Sequence, residues 1–414
     1  MHYKEQLLYV GVDLHKEKHV AVIIDCFCDW KDRIATITFE NKPSAFPEFL
    51  KEVNKYTKKG KVPVFGLEDT AGYGRSLAVF LVENEQKVKE VNSALSNDER
   101  KKNPITQKYD EWDAFNVAQA LRNKLNELPD ANPQDLYWTI AQIVSRRRAL
   151  VKATTALKNQ LHMQLTHSYP SYKKFFCEID GTTAMAFWEK YPSPQTLRGI
   201  SVEELADFLR KASRNSCSTR KAEEILNLVQ QDGDTTRAYQ EQRDFLVKSL
   251  VREVNFKIKE IQAVEEELKN TIALTGIKLE TMPGIDTVMA ADLIAEIGDI
   301  KRFSNADKLA RFSGIAPVTR GSGANHKEYV CEQGNRILNG IFYFLAVQQV
   351  QVSKGSKIPR NPVFYEYYQG KIKAGKTKGQ ALFCVRRRLV SIIYGMMRTK
   401  TEYRKPEVAE KQAV

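Results

Sequence analysis

The first third of the chain has an order of strand and helix signals that few folds can accommodate. Three short β-rich segments, LLYVGVDLH, HVAVIID and RIATITFE, follow one another with only polar turns between them. Helical segments then alternate with the strand-like PVFGLED and KVKEVN. Strands joined by short turns pair antiparallel, whereas parallel pairs need a longer crossover, usually a helix. The order β-β-β-α-β-α-β-α therefore predicts an α/β domain, residues 1–128, with a mixed sheet and helices on its faces.

The middle of the chain, residues 129–278, carries no comparable strand signal. Two long segments, YWTIAQIVSRRRALVKATTALKNQLHMQL and TRAYQEQRDFLVKSLVREVNFKIKEIQAVEEELKNTIAL, have helical periodicity. Such lengths predict an all-α antiparallel arm or coiled coil. An arm of this kind dimerises the protein, spaces two domains or offers a docking surface. In the second segment the apolar residues recur at three- and four-residue spacing: Val247, Leu250, Val254, Ile258 and Ile261.

The remaining residues, 279–414, predict a mostly helical C-terminal domain with a basic tail. Its opening segment, MPGIDTVMAADLIAEIGDI, places a Pro-Gly turn between helical stretches. This pattern fits a helix-hairpin-helix, whose turn can present N–H groups to a phosphate, or an ordinary helical corner. Seven cations follow, and we expect them to contact nucleic-acid phosphates: Lys371, Lys373, Lys376, Lys378, Arg386, Arg387 and Arg388.

The overall charge favours a polyanionic partner. The chain has 64 Lys and Arg against 51 Asp and Glu, a formal net charge of +13. Such an excess of positive charge is typical of proteins that bind nucleic acid, although it also increases solubility. The scattered cysteines include no CxxC pair, which argues against a zinc site or a disulfide framework. No segment has the length of a membrane span or the order of a signal peptide, so we expect a cytoplasmic protein without a membrane partner.

Four acids of the first domain are predicted to meet at one end of the sheet. Asp13 and Glu68 end the first and fourth strand segments, which are neighbours in a sheet of this order. The helix that begins at Asp110 and also carries Asp113 would pack across the same end. Both helix acids have an alternative role as an N-cap and its capping-box partner. Four carboxylates without a thiol or a paired histidine suit Mg²⁺ or Mn²⁺, as one ion or as two.

These segments resemble a known family. The order and spacing of the four acids resemble the DEDD tetrad of RNase H-fold, RuvC-like domains. GVDLHKEKHV, LEDTAGYG and KYDEWDA, together with MPGIDTVMAADLIAEIGDIKRFSNADKLARFSGIAPVTRGSG and GNRILNGIFYFLA, resemble the transposases of the insertion sequence 110 family. The resemblance covers both ends of the chain, with the helical arm between them. It implies a DNA transposase or recombinase whose tetrad, Asp13, Glu68, Asp110 and Asp113, binds Mg²⁺.

The resemblance also implies a serine nucleophile. The position that matches the family's Ser-Gly motif is Ser322 in TRGSGANHK. Ser322 would attack a DNA phosphodiester and form a transient phosphoserine, while the metal polarises the scissile phosphate. Arg320 and Lys327 are the neighbouring candidates for phosphate contact, although Lys327 stands later than the basic residue expected soon after Ser-Gly. Without the resemblance, Ser322 would read as part of a flexible glycine-serine loop.

The partners implied by the resemblance are nucleic acids and further copies of the chain. They are donor and target DNA, and a structured noncoding RNA from the element's flank that pairs with both. The arm would hold a homodimer or a dimer of dimers, in which the tetrad and the serine come from different protomers. The setting implied is the cytoplasm of a bacterium or archaeon, at the nucleoid.

Two other classes remain open on the sequence. The first is a metal-dependent junction resolvase or nuclease that uses water as its nucleophile, with Ser322 structural. The second is a non-catalytic nucleic-acid-binding scaffold, which would have no need to retain all four acids.

Overall fold

The computed structural model of the protein describes residues 3–57, 60–68, 72–102, 108–131, 133, 135–322, 325–329 and 333–404. The chain divides into two compact units. The first comprises Met1–Trp138 with Asp299–Ser304, and the second comprises Thr139–Gly298 with Asn305–Val414. The division into three domains at 1–128, 129–278 and 279–414 stays a prediction.

The first unit contains a five-stranded mixed sheet of order β3-β2-β1-β4-β5. Strand β1 pairs antiparallel with β2 and parallel with β4, while β3 is antiparallel to β2 and β5 is parallel to β4. The sheet confirms the predicted α/β, RNase H-like class and the prediction that the first and fourth strands are neighbours. The strands are β1 Leu7–Leu14, β2 Lys18–Ile24, β3 Ala35–Glu40, β4 Val62–Glu68 and β5 Lys87–Glu90.

Helices cover both faces of this sheet because its strands alternate between two cores. Leu8, Val10 and Val12 of β1 pack in one core with the helices that follow β3 and β4. Tyr9, on the other face, packs with the helix that begins at Asp110. The helices are α1 Phe46–Asn54, α2 Arg75–Glu83, α3 Ser93–Lys101 and α4 Asp110–Lys124. Helix α3 is absent from the sequence prediction.

Five helices, α5 to α9, occupy the middle of the chain. The two long ones, α5 and α9, are 34 residues each, as the sequence predicts. The ends of α5 and α9 share a buried core with the short helices, and aromatic side chains such as Phe187 and Trp188 fill it. Arg147 of α5 also forms an ion pair with Glu265 of α9, 2.6 Å between Nη2 and Oε1. Coiled-coil pairing stays a prediction. The bounds are α5 Asp135–Ser168, α6 Thr182–Lys190, α7 Val202–Ser213, α8 Thr219–Asp232 and α9 Gln240–Ala273.

The C-terminal part of the second unit is mostly helical, as predicted, but it also contains a β-hairpin. Among the helices that the structure describes, none combines the length and the apolar composition that a membrane crossing needs. The elements are α10 Thr287–Ile297, α11 Ala306–Phe312, β6 Val318–Ser322, β7 Asn325–Tyr329, α12 Arg336–Val350, α13 Pro362–Lys373 and α14 Lys378–Thr399.

The Pro-Gly turn before α10 has the features of an ordinary helical corner. A 3₁₀ turn, Leu279–Thr281, precedes it in place of a full helix. The carbonyl of Pro283 accepts a hydrogen bond from the side chain of Gln349. The first N–H groups of α10 face the carboxylate of Asp286, which accepts from Met289 N at 2.8 Å. An acid at this end disfavours a phosphate there, so the structure supports the corner over the phosphate-binding hairpin.

Candidate metal centre

Two paired glycines let helix α4 lie directly on the sheet. Gly11 of β1 is the register partner of Gly66 of β4. A Cβ on Gly11 would lie 2.2 Å from the backbone N of Ala118 and 2.3 Å from the carbonyl O of Ala114. The absence of side chains on the strands and the small alanines on the helix together allow this close approach. The position of α4 relative to the strand ends is therefore set by backbone packing.

Asp13 and Glu68 lie side by side at the ends of β1 and β4. They are register partners in the parallel pair, two residues beyond Gly11 and Gly66. Side chains two residues apart on a strand leave the same face, and adjacent strands are about 4.8 Å apart. Both carboxylates therefore leave the sheet on the face that α4 covers.

Asp110 and Asp113 lie in the first turn of α4 and reach the same region. The N-cap position belongs to Tyr109, which makes no side-chain capping hydrogen bond. Asp113 instead pairs with Arg100 of α3, 3.1 Å between Oδ1 and Nη1. The carboxylate of Asp110 lies 3.4 Å from His15 Nε2. The capping alternative is therefore not the arrangement that the structure adopts.

Helix α3 supplies two partners of the tetrad that the sequence analysis missed. Ser96 donates a hydrogen bond to Glu68 Oε2. Four residues later, Arg100 binds Asp113 and also Asn97 Oδ1, at 2.8 Å from Nη2. The i, i+4 spacing of Ser96 and Arg100 places both on one helix face. The available signal was Asn92, which caps α3 by accepting from Ala94 N at 2.8 Å.

His15 is the second group that the sequence analysis missed. Its Nε2 lies 3.0 Å from Asp13 Oδ2 and 3.4 Å from Asp110 Oδ1. Asp13, His15 and Asp110 have ligand atoms within 4.8 Å of one another, a spacing that a metal ion could bridge. The segment DLHKEKH carried the signal, because His15 follows the strand-end acid by two residues.

The two strand-end carboxylates of the site, Asp13 and Glu68, have raised pKa values. Burial raises the pKa of Asp13, and the carboxylates of Asp113 and Asp110 raise it further against the opposing effect of His15. Burial likewise raises the pKa of Glu68, with added repulsion from Asp13 and Asp113. The hydrogen bond from Ser96 and the charge of Arg100 only partly offset these effects. The ionised forms of these two carboxylates are disfavoured, and a bound cation would stabilise them.

The donor set fits a hard divalent cation. Asp13, Glu68 and Asp113 line one cavity of about 500 Å³, together with Arg100 and Lys108. Asn116, one turn beyond Asp113, also lines it and is 1% exposed. Its Nδ2 donates to the carbonyl of Trp112 at 2.7 Å, while its Oδ1 has no hydrogen-bond partner among the described residues. Carboxylate oxygens and an unmatched amide oxygen are the ligands and water acceptors that Mg²⁺ and Mn²⁺ prefer.

Ser322 is the last residue of strand β6. The glycine-serine alternative expected a loop at this position, and the structure has a strand there. It is the register partner of Asn325 of β7 across a two-residue connection, and Arg320 is the partner of Lys327. The base of this hairpin is closed by Gly314 and Gly334, because a Cβ on Gly334 would lie 2.5 Å from Gly314 N. Asn335 N also donates to the carbonyl of Phe312 at 2.7 Å. The backbone of Ser322 therefore lies at the end of the hairpin opposite this base.

The predicted phosphate contacts in the tail differ in their surroundings. Lys371 and Lys373 lie in the last turn of α13, and Lys378 begins α14 after the short turn that contains Lys376. Arg388 is exposed. Arg386 binds Asn339 Oδ1 at 2.6 Å, and Arg387 forms an ion pair with Asp307. Two of the three arginines are thus partly engaged within the protein.

Comparison with known proteins places both ends of the chain in one family of sequences. A family model of DEDD-type IS110 elements, described as "Transposase", matches residues 10–170. A second, described as "Transposase IS116/IS110/IS902 family", matches residues 277–369. The two matches together cover more than half of the chain.

The relatives come from bacterial insertion elements and from a gene-inversion system. The chain is 24% identical over 396 residues to the uncharacterized 44.8 kDa protein of insertion element IS116 from Streptomyces clavuligerus, covering 95% of each chain. It is 26% identical over 311 residues to the uncharacterized 43.6 kDa protein of IS110 from Streptomyces coelicolor, covering 72% of this chain and 73% of that one. It is 32% identical over 129 residues to the pilin gene-inverting protein of Moraxella bovis, covering 31% and 38%.

Proposed function

Because the chain belongs to the IS110 family of transposases, we propose that it cleaves and rejoins DNA through Ser322, with a divalent cation at the DEDD tetrad and a structured noncoding RNA as guide. The observation that carries the proposal is the convergence of the four acids at the ends of β1 and β4 under α4. Kinship with a pilin gene-inverting protein supports recombination, since inversion of a gene requires that strands be cut and rejoined.

The tetrad would hold Mg²⁺, or Mn²⁺ in its place, through Asp13, Glu68, Asp110 and Asp113. A bound ion supplies a Lewis acid that stabilises the charge developing on a scissile phosphate. The protein's own contribution is positional: Ser96 orients Glu68, and the backbone contact of Gly11 with α4 holds the helix acids at the strand ends. Lys108, at the same cavity, is placed to attract a DNA phosphate.

Ser322 is proposed as the nucleophile. Its Oγ attacks the phosphorus of a DNA phosphodiester, and the bond from that phosphorus to one DNA oxygen breaks. This oxygen leaves with the bonding electrons and takes up the proton that the serine hydroxyl gives up. The phosphoserine conserves the energy of the broken bond. A hydroxyl of the joining strand then attacks the same phosphorus and restores Ser322. The position of Ser322 at the end of a strand supports this role, because its register with Asn325 of β7 defines where the backbone of the serine lies.

The first experiment compares two substitutions on DNA that carries the element's ends. Ser322→Ala should abolish strand joining and the covalent protein–DNA species, and Asp13→Asn should abolish both as well. Ser353→Ala, an exposed serine of the same unit, is the matched control and should keep full activity. Cleavage that persists in Ser322→Ala but not in Asp13→Asn would replace the proposal with a metal-dependent resolvase that uses water.

Guidance by RNA can be tested by an RNA-binding experiment that does not depend on catalytic activity. The protein is purified from cells that also carry the element's flanking DNA, and the nucleic acid that survives a high-salt wash is sequenced. One discrete noncoding RNA with loops that match the element's ends is the expected result. A random mixture, or none, would contradict RNA guidance and leave the test of Ser322 unaffected.

A further inference from the structure

A second cavity, of about 1000 Å³, lies in the C-terminal part of the second unit. Helices α12, α13 and α14 and the residue that precedes β6 form its walls. The size falls at the upper end of the roughly 300–1,000 Å³ of small-molecule pockets. Aromatic and cationic side chains share the lining: Tyr343, Tyr367, Phe383, Lys376, Arg386 and Arg387.

The aromatic rings of the cavity lie beside guanidinium groups, and one of the rings is well exposed. Tyr343 is 45% exposed although it lies on a helix that packs in the core. The guanidinium of Arg386 lies 5.4 Å from the ring centroid of Phe383 and 6.0 Å from that of Tyr343. The ring of Tyr367 has the guanidinium of Arg388 at 4.9 Å. Tyrosine rings and guanidinium planes are the surfaces on which unpaired nucleobases stack.

The arginines of the cavity have unused hydrogen-bond donors. Arg386 is held by Asn339, whose own side chain donates to the carbonyls of Ser313 and Gly314, each at 3.1 Å. Its Nε, and Nη1 of Arg387, are buried and have no hydrogen-bond partner within the described part of the chain. Because these two nitrogens are closed to solvent, a phosphate in the cavity would be bound by the other N–H groups of the two guanidiniums, whose geometry is complementary to phosphate oxygens.

The cavity lies next to the start of the strand that ends at Ser322. Pro317 lines it and immediately precedes β6, which ends at Ser322. Five residues of strand at about 3.4 Å each span roughly 17 Å. One strand of B-form DNA rises 3.4 Å per nucleotide, so this distance corresponds to about five nucleotides. If a nucleic-acid strand ran alongside β6, a nucleotide in the cavity would lie about five nucleotides from a phosphate at Ser322.

We propose that this cavity binds one unpaired nucleotide, with its base stacked among Tyr343, Tyr367 and Phe383 and its phosphate on Arg386 and Arg387. The proposal rests on the proposed function in that it assumes a nucleic-acid substrate or guide. The DNA and the RNA each offer unpaired nucleotides, and the chemistry recognised is the same in both. The cavity recognises a base that has left its stack, and paired duplex lacks such a base.

The test measures binding of the full chain to 2-aminopurine oligonucleotides, whose fluorescence reports stacking. DNA and RNA duplexes with one unpaired 2-aminopurine are compared with fully paired duplexes of equal length. The wild type should bind either the bulged DNA or the bulged RNA duplex more tightly than its fully paired counterpart. Binding should quench the fluorescence of the unpaired 2-aminopurine. Since stacking on an aromatic is worth about 1–3 kcal/mol per base, Tyr343→Ala should lower that preference roughly tenfold. Tyr343→Phe should retain it, because the ring and not the hydroxyl carries the contact.

The neighbouring Phe344 provides the control. It is 63% exposed on the same helix but does not line the cavity, so Phe344→Ala should keep the preference. A preference for DNA or for RNA identifies the source of the nucleotide. Equal affinity for bulged and paired duplexes, or equal losses in Tyr343→Ala and Phe344→Ala, would refute the pocket while leaving Ser322 and the tetrad untouched. Failure to bind any duplex would refute the pocket and the proposed function together.

Discussion

Replacing Gly11 by alanine would place a methyl group inside the backbone of α4. The new Cβ would lie 2.2 Å from Ala118 N and 2.7 Å from Ala118 Cα. Carbon atoms in ordinary contact are about 3.5–4.0 Å apart. The strand and the helix must therefore separate by roughly 1 Å, and neither neighbour is a flexible side chain that could move aside.

The expected loss follows from two opposing effects. Overpacking of a core costs about 1–3 kcal/mol, and more where backbone must shift. Replacing glycine by alanine returns about 0.4–1 kcal/mol by restricting the unfolded chain. The net loss should be about 2 kcal/mol, or roughly 4–8 °C in the melting temperature of the first unit. Because α4 carries Asp110 and Asp113, Mn²⁺ affinity should also fall by about tenfold or more.

Gly66→Ala is the matched control, on the paired position of the adjacent strand. Its Cβ would lie 3.1 Å from Val91 Cγ2 and 3.2 Å from Leu121 Cδ2, which are ends of side chains and can shift. Thermal unfolding and Mn²⁺ titration of both variants provide the measurement. If Gly11→Ala and Gly66→Ala lose equal stability, or if Gly11→Ala binds Mn²⁺ like the wild type, then backbone contact does not set the position of the acids.

Three further predictions concern the first unit. Burial raises the pKa of Asp25, but hydrogen bonds from Cys28, Phe27 and Lys61 outweigh it and lower the pKa to about 2 from an ordinary 3.8. The ionised Asp25 therefore stabilises the fold by about 2 kcal/mol, an effect that is present above pH 4 and is lost as the pH falls toward 2. Asp25→Asn should remove this pH-dependent stability, which unfolding curves measured in acid would show. Arg100→Gln should tighten Mn²⁺ binding several-fold by calorimetry, because the ion no longer competes with a guanidinium for Asp113, whereas Arg100→Lys should stay near the wild type. Asn116→Leu should fold but bind Mn²⁺ about tenfold more weakly, since it removes the buried Oδ1 that would accept a hydrogen bond from a water on the ion; unchanged affinity would mean that the amide serves packing alone.

Much of the first unit could be predicted from the sequence because its signals are local. Alternating strands and short turns specify a mixed sheet, and two strand-end acids on neighbouring strands must meet at one edge. The sequence predicts that Asp13 and Glu68 lie at the same edge of the sheet. It does not predict the register that makes them direct partners. The glycine pair explains why α4 comes so close, and it depends on contacts between distant residues that no periodicity encodes.

The missed features are those set by tertiary contact. Helix α3 has few apolar residues, so its sequence SALSNDERK carries little periodicity, and with it Ser96 and Arg100 escaped notice. His15 joins Asp13 to Asp110 only after the sheet and α4 have formed. The hairpin that contains Ser322 is not predictable from its local sequence, since its closure by Gly314 and Gly334 involves residues 20 apart in the chain.

The location of a bound ion tests most directly whether the four acids form a metal centre. Crystals of the protein soaked with Mn²⁺ would be measured at a wavelength where manganese scatters anomalously. We expect a peak bonded to carboxylate oxygens of the tetrad, Asp13, Glu68, Asp110 and Asp113, with the Arg100–Asp113 ion pair loosened. An ion bound elsewhere, with Ser96 and Arg100 still engaged on Glu68 and Asp113, would contradict the claim that the four acids form a metal centre.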